Sequence, residues 1–243
     1  MSVKIMIAKT AQEAGIIAAD IFEKLISEKP DCVIGLATGS TPLPLYGELA
    51  ARCAAGKLDF SAVKSVNLDE YKGLSPEHEQ SYRYFMRTNL FDKINIDQKN
   101  TYVPDGLAED AQAMCEDYER LIASLGGIDV QLLGIGHNGH IGFNEPDEVF
   151  PAATHEVQLT DSTREANKRF FASIDEVPTA AYTMGIGTVM AAKKVVLIAT
   201  GEGKAEIVKK SFLGPVTPNV PASVLQFHPD ATVICDEAAA KYL

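Results

Sequence analysis

Basic residues are scarce in this sequence. Lys and Arg total 22 against 33 Asp and Glu, the formal net charge is −11 at pH 7, and no Lys/Arg-rich run occurs. That balance sets aside nucleic acid and anionic membrane surfaces as partners. A small anionic substrate stays possible, because a pocket can be locally positive on an acidic protein. Cysteine is sparse too: Cys32, Cys53, Cys115 and Cys235 are scattered, with no C-x-x-C and no metal-ligand spacing. They read as structural thiols in a reducing compartment. No apolar stretch is long enough to span a membrane, and Val3–Ala8 is too short for the apolar part of a signal peptide, so a cytoplasmic protein is expected. Repeats, low-complexity tracts and linkers are also missing. The 243 residues, 46% of them hydrophobic, are therefore expected to form one domain, 1–243.

What is present is an alternation of short apolar runs with amphipathic stretches. Strands are expected at Val3–Ala8, Cys32–Ala37, Val63–Leu68, Ile128–Ile135, Lys194–Thr200 and Thr232–Cys235. Helices are expected at Ala11–Ser27, Leu43–Ala55, Ser81–Leu90, Ala108–Leu125 and Gly203–Phe212, with a less regular middle section. The pattern predicts an α/β fold: a mostly parallel central sheet with helices on both faces. Ligands of such sheets bind at the carboxyl ends of the strands. The chemically unusual residues follow four predicted strands, at Thr38–Thr41, Asp69, Asn138–Glu145 and Gly201–Lys204, which points to one shared site.

Each group has a functional and a plain reading. Thr38-Gly39-Ser40-Thr41-Pro42 joins a strand to a helix and suits a single phosphate at the helix N-terminus; equally, Ser40 or Thr41 could simply cap the helix. It is not a P-loop, because G-x-x-x-x-G-K-[ST] is missing. Asp69 at a strand end could be a general base with a raised pKa, or could cap a turn. Gly134 to Pro146 is the densest stretch, with Asn138, His140 and Glu145 able to converge; a carboxylate on the His140 ring would orient it. The alternatives there are zinc ligation by His137 and His140, a buried structural histidine, or a dinucleotide loop. The third metal ligand and a clear following helix are both missing. Arg169, in the helical-looking stretch Thr163–Phe171, and Lys204 could complete a phosphate site, or be surface charges. His78, His155 and His228 read as structural.

Leu36-Ala37-Thr38-Gly39-Ser40-Thr41-Pro42, Asn67-Leu68-Asp69-Glu70-Tyr71, Gly136-His137-Asn138-Gly139-His140-Ile141-Gly142-Phe143-Asn144-Glu145-Pro146 and Gly201-Glu202-Gly203-Lys204-Ala205 occur in this order. Together they resemble the glucosamine-6-phosphate deaminase family, from Lys4 to about Glu237. The resemblance implies a modified Rossmann-like fold with a lid after Glu145. It implies a hydrolase that converts glucosamine 6-phosphate and water to fructose 6-phosphate and ammonia, without metal or cofactor. Asp69 would move the C2 proton to C1, and His140 would open the ring through a relay of Glu145 and Asn138. Thr38, Gly39, Ser40, Thr41, Arg169 and Lys204 would hold the phosphate. Some family members carry Asp where this chain has Asn138, which implies a shifted pH profile. Members activated by an effector carry basic residues near His155-Glu156-Val157 and a longer C-terminal tail, so an unregulated monomer or low-order homo-oligomer is expected. The rival readings are a 6-phosphogluconolactonase, a galactosamine 6-phosphate enzyme, and the effector domain of a repressor, which should carry a helix-turn-helix before Val3.

Overall fold

The computed structural model describes residues 3–160, 163–165, 168, 171 and 173–243. Strands β1 (Lys4–Ala8), β2 (Val33–Leu36), β3 (Lys64–Asn67), β5 (Thr101–Tyr102), β6 (Val130–Leu133), β9 (Val195–Ala199) and β10 (Ala231–Asp236) form the main sheet. Its order is β1-β10-β9-β6-β2-β3-β5, with every pairing parallel. Residues of β2, β6 and β9 are buried without alternation. A parallel sheet covered on both faces requires that pattern. The covering helices include α1 (Ala11–Glu28), α2 (Leu43–Ala54), α3 (Tyr82–Asn89), α4 (Ala111–Ser124), α5 (Ile186–Met190) and α6 (Ala205–Leu213). The α/β architecture read from the sequence holds, and the expected elements all form within a few residues of their expected ends.

The middle section is more regular than expected. Strands β4 (Asp69–Tyr71), β8 (Ala180–Thr183) and β7 (His155–Gln158) make a second, antiparallel sheet in the order β4-β8-β7. A small apolar cluster of Tyr71, Phe143, Leu159 and Ala181 lies under it. The sequence hid these strands for a physical reason. β4 has three residues and starts with two carboxylates, while β7 carries a single apolar residue, so neither shows a hydrophobic period. The expected strand Val63–Leu68 thus ends at Asn67, and the chain passes directly into the second sheet at Asp69.

Helix α1 is capped by Thr10, whose hydroxyl accepts from Glu13 N at 3.1 Å. Its apolar stripe buries Ala14, Ala18, Phe22 and Ile26. Gly15 lets it approach the start of α2: a Cβ there would lie 2.6 Å from Pro44 Cβ and 2.8 Å from Leu45 N. Gly15→Ala would gain roughly 1 kcal/mol of helix propensity. Overpacking against backbone costs about 1–3 kcal/mol, so the clash should win. The substitution is expected to lower the urea midpoint at unchanged m-value; a raised midpoint would show that α2 yields.

Candidate active site

The strand order reverses between β2 and β6. From β2 the chain builds outward to β3 and β5, then returns to β6 on the other side of β2. The crevice at the carboxyl ends of two such strands is where open α/β sheets bind ligands. Here it is a cavity of about 900 Å³. Segments following β3, β2, β6 and β9 line it side by side: Asp69, Thr38–Thr41, Gly134–Asn138 with His140, and Thr200 with Lys204.

The turn after β2 is held from below. The Tyr46 hydroxyl on α2 donates to Ala37 O at 2.5 Å, fixing the last residue before Thr38. Gly39 takes a φ of 95°, a left-handed conformation that a side chain would disfavour. The N-cap of α2 is Pro42, with no side-chain cap. Ser40 and Thr41 therefore do not cap the helix, and the capping alternative falls. The turn presents a helix N-terminus and hydroxyl groups to the cavity, an arrangement that favours an anion.

Lys204 approaches the same cavity, and its Nζ donates to Ile135 O at 2.7 Å. Its turn is positioned by a residue sequence reasoning missed. Gly201, at φ 88°, donates its N–H to the Asp236 carboxylate at the end of β10, at 3.0 Å to each oxygen. That link joins residues 35 positions apart in the chain. Arg169 lies outside the described residues.

Asp69 is the first residue of β4 and only 6% exposed. Tyr118 on α4 donates to Asn67 O at 2.7 Å and so fixes the chain just before it. Its Oδ1 is buried and has no hydrogen-bond partner among the described residues. The turn-capping alternative therefore falls as well. Burial pushes the carboxyl up to about 8, and the neighbouring charge of Glu70 adds to the shift.

Glu70 received no role from the sequence. Its carboxylate accepts three backbone N–H groups, from Tyr71 at 2.8 Å, Tyr82 at 2.9 Å and Arg83 at 2.9 Å. It thereby fastens the start of α3, including Tyr82, to the wall of the cavity. Burial raises this carboxyl to about 7, against the opposing pull of those three donors. Nothing in a one-dimensional pattern marks a carboxylate two of whose partners lie twelve and thirteen residues downstream.

The Gly136–Glu145 segment folds back on itself. Gly136 N donates to His140 O at 2.9 Å and Gly139 N to Gly136 O at 3.1 Å. No helix follows Gly139, so the dinucleotide alternative fails. Gly136 is needed for contact: a Cβ there would lie 2.3–2.5 Å from the His140 ring. His140 Nδ1 sits 3.4 Å from Glu145 Oε1. Asn138 links both residues, accepting from His140 N at 3.2 Å and donating to Glu145 Oε2 at 2.5 Å. A further donor came unannounced: Thr163 Oγ1 reaches Glu145 Oε1 at 2.5 Å. Burial alone would raise Glu145, yet the facing His140, with Thr163 and Asn138, brings it down to about 2. Glu145 is thus held as an anion behind the imidazole.

Thr163 and Phe171, from the region where the resemblance implies a lid, line the cavity. Among the described residues, no group of three or more His, Cys, Asp or Glu could hold a metal ion. His78 stacks with Phe171, ring centroids 6.4 Å apart, and His155 Nδ1 lies 3.0 Å from Ala153 O. His228 is buried, with Nε2 2.8 Å from Ala192 O, while its Nδ1 accepts from Asp230 N at 3.0 Å. Burial pushes the Cys32 and Cys235 thiols up to about 12, which leaves them inert.

Residues 7–234 match the model of the family described as glucosamine-6-phosphate isomerases/6-phosphogluconolactonase. The chain belongs to this family. It is 61% identical over 218 residues to a glucosamine-6-phosphate deaminase of Lachnoclostridium phytofermentans, covering 90% of this chain and 92% of the relative. It is 53% identical over 240 residues to the deaminase of Clostridium perfringens, covering 99% of each. A solved monomeric glucosamine-6-phosphate deaminase superposes with a TM-score of 0.96 at 45% identity, over 99% of this chain and 100% of that one. The 6-phosphogluconolactonase of Trypanosoma brucei superposes with a TM-score of 0.77 at 20% identity, covering 100% of this chain and 99% of its own. That last likeness shows a shared fold and nothing finer.

The raised Asp69 carboxyl has a thermodynamic consequence. An acid whose folded pKa exceeds its ordinary value near 4 is protonated more readily in the folded state. Its ionisation therefore erodes stability as pH rises from about 4 to about 8. Asp69→Asn carries no ionising group, so its melting temperature should gain on the parent across that window and hold the gain above it. A gap that stays constant from pH 4 to 9 would contradict the raised value.

Proposed function

We propose that the protein is a glucosamine-6-phosphate deaminase: glucosamine 6-phosphate and water give fructose 6-phosphate and ammonia, in amino-sugar catabolism. The observation that carries this reading is the shared cavity. An uncommitted, desolvated carboxylate and an imidazole backed by a carboxylate, from different stretches of chain, face the same space. The relatives at 53–61% identity, all named as deaminases, support it over the lactonase reading.

In this scheme the Thr38–Thr41 turn, Lys204 and Arg169 hold the phosphate, placing the sugar at the far end of the cavity. His140 transfers a proton at the ring oxygen and opens the ring, with Glu145 and Asn138 holding the imidazole in place. Asp69 then takes the C2 proton and delivers it to C1. The C2 amino group becomes an imine, which water hydrolyses to the ketone with loss of ammonia. A positioned base contributes about 10²–10⁴-fold in such transfers. The phosphate clamp adds remote binding energy that aligns C2 with the base. The scheme uses no metal and no cofactor. The region containing Thr163 and Phe171 acts as the lid. The chain works as a single domain in the cytoplasm, as a monomer or low-order oligomer; the monomeric solved relative supports that state. Among the described residues no helix is long and apolar enough to cross a membrane.

Chelator-treated protein supplied with glucosamine 6-phosphate should release ammonia and fructose 6-phosphate in equal amounts. Absence of both would sink the assignment. Asp69→Asn should cut turnover by at least roughly 10²-fold while phosphate binding changes little.

The limb of kcat/KM that reports Asp69 in the free enzyme should rise with pH toward about 8. Asn138→Asp would place a second carboxylate against Glu145, where the amide now donates at 2.5 Å. Added negative charge favours the protonated form of groups near it. The profile is expected to move to higher pH by roughly 1 unit, and an unmoved profile would remove Asn138 from the relay.

A further inference from the structure

Strand β8 touches both halves of the site at once. Thr183, its last residue, lies opposite Asp69 in the antiparallel ladder, and the next residue, Met184, donates its N–H to Leu68 O at 2.8 Å. The backbone that carries the carboxylate is thus clamped to β8 before and at Asp69. The same two residues hold the other half. Thr183 Oγ1 accepts the Phe143 N–H at 3.1 Å. Met184 O accepts from Asn144 Nδ2 at 2.8 Å, while that amide also donates to Ile141 O at 2.9 Å. Residues 141–144 are the short turn between His140 and Glu145, closed on itself by the Ile141–Asn144 bridge.

The fit leaves little slack. Gly142 has a φ of 60°, and a Cβ on it would lie 2.7 Å from Thr183 Oγ1 and 3.3 Å from Leu68 Cγ. The turn therefore rests directly on the hydroxyl and on the residue before Asp69. Thr183 has no exposed surface, so water cannot replace the lost acceptor if the hydroxyl is removed. A buried N–H without a partner is costly, and the turn would shift to satisfy it.

We propose that Thr183 is a positioning residue: its hydroxyl sets the placement of the His140–Glu145 turn relative to Asp69. The inference rests on the deaminase reading for its kinetic consequence, though the clasp itself can be tested without turnover. Thr183 does not line the cavity, so it acts through the groups that do. Displacing a catalytic group by about 1 Å can cost on the order of 10²-fold in rate, while binding of the remote phosphate is left alone.

The test compares the parent chain with Thr183→Val, which keeps the shape and removes the acceptor, and Thr183→Ser, which keeps the hydroxyl. Thr183→Ala stands in should the valine variant fail to fold. Two measurements are made: kcat and KM for ammonia release from glucosamine 6-phosphate, and amide hydrogen exchange of the peptide spanning 141–144. The expected result for the hydroxyl-less variant is a kcat lower by about 10–100-fold, a KM within about twofold, and faster exchange at 141–144. Serine should restore most of both. Parental kcat and exchange in the valine or alanine variant would overturn the proposal, as would a loss confined to KM or a serine variant as impaired as valine. If the parent chain itself releases no ammonia, the deaminase reading fails. Exchange then decides the clasp alone: faster in the hydroxyl-less variant supports it, unchanged overturns it.

Discussion

Parallel alignment is the constraint on which this molecule rests. In a parallel sheet every strand ends on the same side, so whatever follows neighbouring strands is delivered to one place. Here β3, β2, β6 and β9 are adjacent, and each is followed by a segment lining one cavity. The reversal of strand order between β2 and β6 opens the crevice, because the connections there depart in opposite directions. A parallel ladder also needs burial on both faces. The apolar runs that build the sheet and the polar turns that line the cavity are thus two consequences of one arrangement.

A rigid sheet end is not yet a positioned site, and backbone-directed side chains supply the next level. Tyrosine hydroxyls from α2 and α4 hold Ala37 and Asn67, the residues just ahead of the turn at Thr38–Thr41 and of Asp69. Asp236 grips the N–H of Gly201, and Glu70 gathers three N–H groups around the start of α3. Each contact takes a main-chain group that would be costly to bury alone and turns it into a fixed point. Asp69 carries no such duty: it is buried beside a charged neighbour, with one oxygen unpartnered among the described residues. Such a carboxylate is poorly solvated and basic, which is what proton abstraction at carbon requires. Glu145 is the opposite case. It is surrounded by donors, its carboxyl is lowered to about 2, and it is fixed as an anion behind His140. Two carboxylates in one site are driven apart in basicity by their surroundings alone.

The second sheet joins these parts. It takes β4 away from the main sheet directly after Asn67 and pairs it with β8, on which the His140–Glu145 turn also sits. The relation between the two chemical groups therefore depends on a short antiparallel ladder outside the Rossmann-like framework.

The sequence by itself determined the strand–helix alternation, the strongly apolar central strands and the four polar turns, because burial on both faces and helical periodicity leave a one-dimensional trace. It also determined which residue types stand at the strand ends, including Asp69, His140, Glu145 and Lys204. What only the tertiary structure decided lies where contacts are distant in sequence or where strands are short and polar. β4 and β7 carry no hydrophobic period, and Asp236 meets Gly201 across 35 residues. Thr163, Thr183 and Glu70 are ordinary residues until folding sets them against a carboxylate, a turn and a helix start. Whether Ser40 and Thr41 cap a helix, and whether Asp69 is tied up in a turn, was equally open in the sequence. Both readings use the same residues, and only the hydrogen bonds actually formed distinguish them.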